Sequence, residues 1–194
     1  MKKCSVTLVT GFLSSGKTSF INHILQGVSK EEVLIIQGER GEELIDLGKN
    51  NINLKNYLDM ENLKEEELIR SLKFYAPKKV IFECNGVLES KKLIEKIRGG
   101  ELKDYLRLDL IINIIDMKTF NMFLKNIPSM IIPNISLSNI IILNKCQYVK
   151  EDSLKEYRSM IEKFNQNAHI VNCIGREGKK MAFNKERLVK RMMA

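Results

Sequence analysis

The segment with the clearest chemistry starts at Gly11 and reads GFLSSGKT. It matches the pattern GxxxxGK followed by Ser or Thr, in which glycines let the backbone curl so that successive N–H groups point at a phosphate. The ammonium of Lys17 can reach the β- and γ-phosphates, and the hydroxyl of Thr18 is a hard oxygen ligand for Mg²⁺. The segment therefore predicts the binding of a nucleoside triphosphate together with Mg²⁺. The residues expected to contact the nucleotide or the metal here are Gly11, Ser14, Ser15, Gly16, Lys17, Thr18 and Ser19.

An acidic residue follows an apolar run further along the chain. The residues from Val80 to Phe82 are apolar and lead to Glu83, and Gly86 comes three residues later. An acid at the end of a strand can hold the hydration shell of Mg²⁺ or orient an attacking water, and a glycine at this spacing can donate its N–H to the γ-phosphate. We therefore expect Glu83 to act in catalysis and on the Mg²⁺ side, and Gly86 to contact the nucleotide.

A third segment, Asn144-Lys145-Cys146-Gln147, matches the first two positions of the guanine-reading pattern NKxD. In such a loop the Asn braces the phosphate loop, the Lys stem covers the face of the base, and the Asp accepts two hydrogen bonds from guanine. Gln147 replaces the Asp, and the loss of one charge-assisted acceptor costs about 1.5–3 kcal/mol. We expect Asn144, Lys145 and Gln147 to contact the base, with GTP preferred and only modest selectivity over ATP.

Short apolar runs alternate with amphipathic segments along the chain, which is typical of alternating strands and helices. The runs are apolar throughout and rich in β-branched residues, as in parallel sheets covered on both faces. The predicted strands are Ser5–Thr10, Val33–Gln37, Val80–Glu83, Leu110–Asp116, Ile140–Asn144 and Ile170–Cys173. The predicted helices are Lys17–Gln26, Leu63–Phe74, Ser90–Ile97, Thr119–Lys125, Glu151–Phe164 and Lys185–Met192, with caps at Asn62 and Asn184. This order predicts an α/β fold, a doubly wound, mostly parallel sheet with helices on both faces, which binds ligands at the carboxyl ends of its strands.

Length and composition narrow the kinds of protein to which this chain can belong. The chain has 194 residues, of which 44% are apolar and 29% charged, which indicates a soluble protein with a single domain spanning residues 1–194. Its net charge is +8, but the basic residues are not interleaved with aromatic ones, so we expect no nucleic-acid partner. No apolar run approaches the roughly 18–20 residues of a membrane span, so we expect no membrane partner and a cytoplasmic location. The four cysteines form no CxxC pair, which is typical of reduced thiols.

Five segments resemble one known family in their order and spacing. They are GFLSSGKTSFI from Gly11, GERGEELID from Gly38 to Asp46, FECNG from Phe82 to Gly86, IILNK from Ile141 to Lys145 and FNQNAHIV from Phe164 to Val171. The family they resemble is CobW/HypB/UreG, P-loop GTPases that serve as metal chaperones and in metallocentre assembly. The GFL opening, and ExxG in place of DxxG, are the most specific of these features.

The resemblance implies roles for three acids of a first switch region. Glu39 and Asp46 would act in catalysis near the attacking water, and Glu42 would lie near the metal. The residues alone leave a second interpretation open, in which these acids belong to a solvated loop between a strand and a helix. The resemblance further implies a homodimer that forms with nucleotide, and an unidentified metalloenzyme or cofactor-assembly protein as partner.

Three departures from the family pattern concern metal binding and length. CobW-like members usually carry a CxCC motif, but the corresponding stretch from Asn50 to Phe74 contains neither Cys nor His, so we expect weak binding of zinc without nucleotide. The C-terminal domain of the larger members has no counterpart, which predicts a stand-alone nucleotide domain. His-rich tracts are also missing, since His23 and His169 are expected in an ordinary helix and strand. Cys84 is the one thiol next to the predicted site.

These observations favour a Mg²⁺-dependent, GTPase-like switch with slow intrinsic hydrolysis that helps to assemble a metalloenzyme or metal cofactor. A P-loop kinase for a small molecule is an alternative, although no compact Arg cluster follows Glu83 to cover the phosphates. A degenerate module that signals by binding nucleotide alone is a third hypothesis, because Gln147 and the missing CxCC depart from the pattern. Phosphate release without an added acceptor would separate the first hypothesis from the second, and tight binding without release would indicate the third.

Overall fold

A sheet of seven parallel strands forms the centre of the computed structural model, which describes residues 2–28, 30–38, 43–57, 60, 62–84, 90–176 and 179–182. The strands of this sheet are β1 (Cys4–Thr10), β2 (Val33–Gln37), β3 (Ile52–Asn56), β4 (Lys79–Glu83), β5 (Leu106–Asp116), β6 (Ile140–Asn144) and β7 (His169–Asn172). The helices are α1 (Lys17–Gly27), α2 (Glu65–Tyr75), α3 (Ser90–Arg98), α4 (Phe120–Asn126), α5 (Pro128–Leu137) and α6 (Glu151–Phe164). A separate antiparallel hairpin follows, formed by β8 (Ile174–Arg176) and β9 (Lys179–Ala182).

The strand order is β3-β2-β4-β1-β5-β6-β7, and every neighbouring pair is parallel. This order confirms the predicted doubly wound α/β fold. The first strand lies in the middle, with β4, β2 and β3 on one side and β5, β6 and β7 on the other. Because the winding reverses there, the carboxyl ends of the central strands open onto a crevice, which is where such sheets bind their ligands.

The strand residues alternate between two apolar layers, as β2 illustrates. All five residues of β2 are buried. Leu34 and Ile36 belong to the layer that contains the apolar faces of α2 and α3, whereas Val33 and Ile35 belong to the layer beneath α1. A third apolar cluster packs α4, α5 and α6 against β5 and β6. Helices therefore cover both faces, and this explains why the strand sequences are apolar throughout rather than alternating.

Most predicted elements are confirmed, and β2, β6 and α6 have the predicted bounds. The largest extension is in β5, which begins at Leu106 rather than at Leu110, whereas β1 and β4 each begin one residue earlier than expected. The prediction that Asn62 caps the second helix is wrong, because α2 begins at Glu65 with Lys64 at the N-cap position. The first turn of α2 is acidic, and acids at this end interact favourably with the helix dipole.

Three elements fall outside the sequence-based prediction: β3, α5 and the hairpin β8–β9. The strand β3 has the sequence INLKN and, among the described strands, pairs only with β2. As an edge strand it lacks the apolar run that marks the central strands. The helix α5 starts with Pro128, which suits a first helical position, and also contains Pro133, which argues against a helix. The predicted helix Lys185–Met192 and the cap at Asn184 lie outside the described residues.

The unpredicted strand β3 also changes the setting of the switch region. The loop that contains Asp46 was expected to lead from a strand to a helix, but it leads from β2 to β3. The loop therefore connects two neighbouring parallel strands.

Among the described residues, no helix is long and apolar enough to cross a membrane. The longest of them, α6, has 14 residues and carries many charged side chains.

The side chain of Lys49 closes the carboxyl end of α1. Its Nζ donates to the carbonyl oxygens of Leu25 at 3.0 Å and Gln26 at 3.1 Å, and also to that of Val28. The last carbonyls of a helix have no partner within the helix, and the negative end of its dipole attracts a cation.

We predict that Lys49→Met lowers the free energy of unfolding by about 1–3 kcal/mol, because its charged hydrogen bonds to the carbonyls at this helix end are lost. Urea denaturation would measure the change, with the exposed Lys3→Met as the matched control. A change below about 0.5 kcal/mol, the usual range for surface substitutions, would contradict this role for Lys49.

Candidate nucleotide-binding site

The loop between β1 and α1 has the backbone conformation that its glycines allow. The φ angles of Gly11, Ser14 and Gly16 are 138°, 60° and 101°, all in the region that side chains disfavour. A Cβ atom on Gly11 would lie 2.3 Å from the carbonyl oxygen of Ile114 on β5. The loop therefore packs directly against the backbone of the neighbouring strand, and only glycine fits at its first position.

Lys17 is the first residue of α1 and folds back over this loop. Its side chain is only 3% exposed, and Nζ donates to the carbonyl oxygens of Gly11 at 2.8 Å and Phe12 at 2.9 Å. The ammonium group is thus held at the concave side of the loop by backbone acceptors. A cation fixed there, next to the amino end of a helix, is suited to bind an anion.

Thr18 and Glu83 meet at the carboxyl ends of β1 and β4. The hydroxyl of Thr18 donates to Oε1 of Glu83 at 2.6 Å, and the amide of Gln37 donates to Oε2 of the same carboxylate at 2.6 Å. Glu83 is 1% exposed and Gln37 is 7% exposed. The register of the sheet explains the second contact, because Gln37 and Glu83 are directly paired between β2 and β4.

The chemistry of this donor set fits Mg²⁺. A hydroxyl and a carboxylate are hard oxygen ligands, and Mg²⁺ in such sites keeps several waters while binding one or two protein oxygens and the substrate phosphates. Gln37 was missed by the sequence analysis. The signal that could have found it is the one that identified Glu83, namely a polar side chain at the carboxyl end of an apolar strand.

The segment after β6 contacts the phosphate loop from the other side. The amide of Asn144 donates to the carbonyl oxygen of Ser15 at 2.8 Å, and Nζ of Lys145 donates to that of Ser14 at 2.9 Å. Lys145 also forms an ion pair of 2.6 Å with Asp116, the last residue of β5. Asp116 is a second residue that the sequence analysis missed. Together these contacts fix the position and the direction of the Lys145 side chain.

Gln147 lies in a single 3-10 turn, Cys146–Tyr148, that directly follows Lys145. Lys145 itself has a φ angle of 60°, so the chain reverses sharply before this turn. The phenol ring of Tyr148 contacts the ammonium of Lys118, whose Nζ is 4.9 Å from the ring centroid.

The described part of the switch region, which begins at Glu43, is bound to α1. The hydroxyl of Ser19 donates to Glu43, and the amide of Asn22 donates to the carbonyl oxygen of Leu44 at 2.9 Å. Oδ1 of Asn22 in turn accepts from the backbone N–H of Asp46 at 2.8 Å. The carboxylate of Asp46 accepts from the N–H of Gly48 at 2.9 Å, a contact within its own loop.

The remaining site predictions fall in two groups. Glu39, Glu42 and Gly86 lie outside the described residues. His23 and His169 lie in α1 and β7, as predicted. Cys84 follows Glu83 and is fully buried. Among the described residues, no group of three or more His, Cys, Asp and Glu side chains could hold a metal ion.

Comparison with known proteins agrees with this geometry. The model of the nucleotide-binding domain of CobW/HypB/UreG matches residues 5–172, which include the phosphate loop, Glu83 and Asn144. The chain belongs to the CobW/HypB/UreG family. Membership in this family confirms the resemblance inferred from the five sequence segments.

Two curated relatives match most of this chain. The zinc-regulated GTPase metalloprotein activator 1 of Dictyostelium discoideum is 24% identical over 88% of this chain and 46% of its own length. The protein of the same name from Schizosaccharomyces pombe is 27% identical over 86% of this chain and 44% of its own length. The chain thus spans less than half the length of these relatives.

Two solved structures share the fold. The Zn(II)-bound YjiA GTPase from E. coli superposes with a TM-score of 0.72 at 19% identity, covering 94% of this chain and 60% of the other. The hydrogenase maturation factor HypB from Archaeoglobus fulgidus gives a TM-score of 0.55 at 14% identity, covering 89% of this chain and 81% of the other. At these identities the likeness supports the fold alone.

Two thiols lie together beside the loop that follows β6 in this member of the family. The N–H of Cys146 lies 3.5 Å from the carbonyl oxygen of Cys173, and both side chains are buried. Burial raises the pKa of the Cys146 thiol, and burial together with the nearby Cys146 raises the pKa of Cys173 to about 11. Both groups therefore remain protonated thiols at neutral pH.

We predict that Cys173 in the folded protein is alkylated by iodoacetamide at pH 8 about a hundredfold more slowly than in urea, because a pKa of about 11 instead of 9.0 leaves a hundredth of the thiolate. Above pH 9 the Cys173 thiol loses its proton in the unfolded chain but keeps it in the folded chain. The free energy of unfolding should therefore fall as the pH rises from about 9 to 11. Mass spectrometry of pulse-labelled protein measures the rate. Equal labelling in the folded and unfolded states would contradict the burial of this thiol.

Proposed function

We propose that this chain binds GTP with Mg²⁺ at the loop from Gly11 to Thr18, hydrolyses it slowly, and acts as a nucleotide-dependent switch in the assembly of a metalloenzyme or metal cofactor. The observation that carries the proposal is the convergence of Lys17, Thr18 and Glu83 at the carboxyl ends of two neighbouring strands. A cation, a metal-binding hydroxyl and a buried carboxylate are the groups that phosphoryl transfer requires at one place.

Each of these side chains has a distinct task in the proposed reaction. Lys17, held by the carbonyls of the loop, neutralises negative charge on the transferred phosphate. Thr18 and Glu83 would hold Mg²⁺, which neutralises charge on the β- and γ-phosphates when bound. The hydroxyl of Thr18 donates its hydrogen bond to Glu83, so its lone pairs remain available to the metal. Ser14, Ser15, Gly16 and Ser19 line the phosphate side of the loop in this proposal.

The switch residues complete the proposal. We assign Glu39 and Asp46 to the ordering of the attacking water, Glu42 to the metal side, and Gly86 to the γ-phosphate. In the described structure the carboxylate of Asp46 is engaged with Gly48 instead. Release of that contact when nucleotide binds would make this loop responsive to the bound nucleotide, which is the property a switch needs.

The proposed role in metal-cofactor assembly is supported by the relatives. Two of them are called zinc-regulated GTPase metalloprotein activators. The partner we propose is a metalloenzyme or a cofactor-assembly protein that recognises the nucleotide-bound form, with a nucleotide-dependent homodimer as the assembly. We propose a cytoplasmic location for these reactions.

A second candidate function, nucleotide binding without hydrolysis, is favoured by one observation. The Asp46 carboxylate, an expected catalytic group, is hydrogen-bonded within its own loop. A chain that binds Mg²⁺·GTP tightly but releases no phosphate would be such a module, and transfer of phosphate only to an added small molecule would indicate a kinase.

We predict that Mg²⁺·GTP raises the melting temperature of the parent and that Lys17→Ala abolishes this shift. A ligand at a hundred times its dissociation constant adds about 2.7 kcal/mol, and the variant lacks the cation that holds the phosphates. Differential scanning fluorimetry with and without nucleotide measures the shift, and Lys3→Met is the control. A shift in Lys17→Ala equal to that of the parent would exclude the phosphate-loop assignment.

The choice of base gives a second prediction. Asn144 and Lys145 tie the base loop to the phosphate loop, but Gln147 has one acceptor oxygen and no charge for guanine's two donors. We expect the parent to prefer GTP over ATP by less than about a hundredfold, and Gln147→Asp to increase the preference. Paired titrations of GTP and ATP with both proteins measure it. A parent that is already a thousandfold selective, with no gain from the substitution, would show that another residue reads the base.

A further inference from the structure

Gln37 has little freedom to leave its position at the end of β2. Its carbonyl oxygen accepts from the N–H of Tyr57 at 2.8 Å, and the N–H of the next residue, Gly38, donates to the carbonyl oxygen of Glu83 at 2.9 Å. Gln37 and Glu83 are register partners in neighbouring parallel strands, so their side chains extend from the same face of the sheet. The backbone on both sides of Gln37 therefore fixes where its amide group lies.

The amide of Gln37 meets a specific requirement of Glu83. This carboxylate is 1% exposed, and a buried carboxylate needs hydrogen-bond donors to replace the water it has lost. The two oxygens have separate donors, Thr18 on Oε1 and Gln37 on Oε2, each at 2.6 Å. One donor leaves the carboxylate free to rotate about its last torsion, whereas donors on both oxygens fix its plane.

We propose that Gln37 is a positioning residue for the metal: it holds the Glu83 carboxylate so that Oε1 faces Thr18, and it thereby sets the affinity of the nucleotide-bound protein for Mg²⁺. The inference rests on the proposed function, because it requires nucleotide and Mg²⁺ at this site. It goes beyond that function by assigning a role to a residue of β2 that contacts neither the nucleotide nor the metal.

The position of Gln37 also connects the metal site to the switch region. Gln37 ends β2, and the chain continues through Gly38 into the segment that contains Glu39. A side chain on Gly38 would collide with Met60, since its Cβ would lie 2.8 Å from Cε, so the chain leaves β2 along a narrow path.

The experiment measures the dissociation of N-methylanthraniloyl-GDP, a fluorescent nucleotide, over a series of Mg²⁺ concentrations and in EDTA. In the parent, Mg²⁺ slows dissociation, and the midpoint of this effect reports the affinity for Mg²⁺ independently of hydrolysis. For Gln37→Met, whose side chain is similar in size but has no hydrogen-bond donor, we expect the midpoint to rise about tenfold or more, the value of one hydrogen bond to a charged group. The dissociation rate in EDTA should stay within about twofold of the parent, because a merely destabilised fold would change that rate as well.

Two further variants make the test specific. Asn113→Leu removes another buried amide, on β5, and serves as the matched control that should keep the parental midpoint. Gln37→Asn keeps an amide donor on a side chain one methylene shorter and is the milder second variant; its midpoint should lie between those of the parent and Gln37→Met. A parent that does not bind the nucleotide would refute the proposed function itself. A parent that responds to Mg²⁺, with Gln37 variants whose midpoint is unchanged, would refute only the role of Gln37.

Discussion

The burial of one carboxylate, that of Glu83, is the constraint on which the site depends. A charged group that is 1% exposed is tolerated only where donors reach both of its oxygens. The strand order supplies them, because β4 lies between β2, which ends in Gln37, and β1, which leads to Thr18. The apolar layers above and below the sheet hold these three strands in register. The apolar core therefore supports the site by fixing which strand ends lie next to each other.

The phosphate loop is held from two directions by the same sheet. On one side Gly11 packs against the backbone of β5 so closely that no side chain fits. On the other, Asn144 and Lys145 after β6 hydrogen-bond to the carbonyls of Ser15 and Ser14. The loop that would read the base is therefore rigidly coupled to the loop that would hold the phosphates. Because these two loops are already ordered, little binding free energy is lost in ordering them when the nucleotide binds.

Whether a feature of the fold or the site could be predicted from the sequence depends on how far apart in the chain the interacting residues lie. The central strands, the loop between β1 and α1 and the position of Glu83 at the end of β4 were predicted correctly, because their signals are local: a short motif, or an apolar run with a polar end. The edge strand β3 and the proline-containing α5 carry no such local signal and are stabilised by their neighbours in the fold. Gln37 and Asp116 were missed because their roles come from contacts with Glu83 and Lys145, far away in the chain. The Asn62 cap was wrong because α2 begins at Glu65, which leaves Lys64 at the N-cap position.

The most direct test of the account is a crystal structure of the protein with Mg²⁺ and a non-hydrolysable GTP analogue. The account predicts Mg²⁺ about 2.1 Å from the hydroxyl oxygen of Thr18, with Glu83 still hydrogen-bonded to Gln37 and facing the metal's water shell. The phosphates should lie in the loop from Gly11 to Thr18, within hydrogen-bond distance of Lys17. A nucleotide bound elsewhere, or a metal whose first or second shell excludes both Thr18 and Glu83, would contradict it.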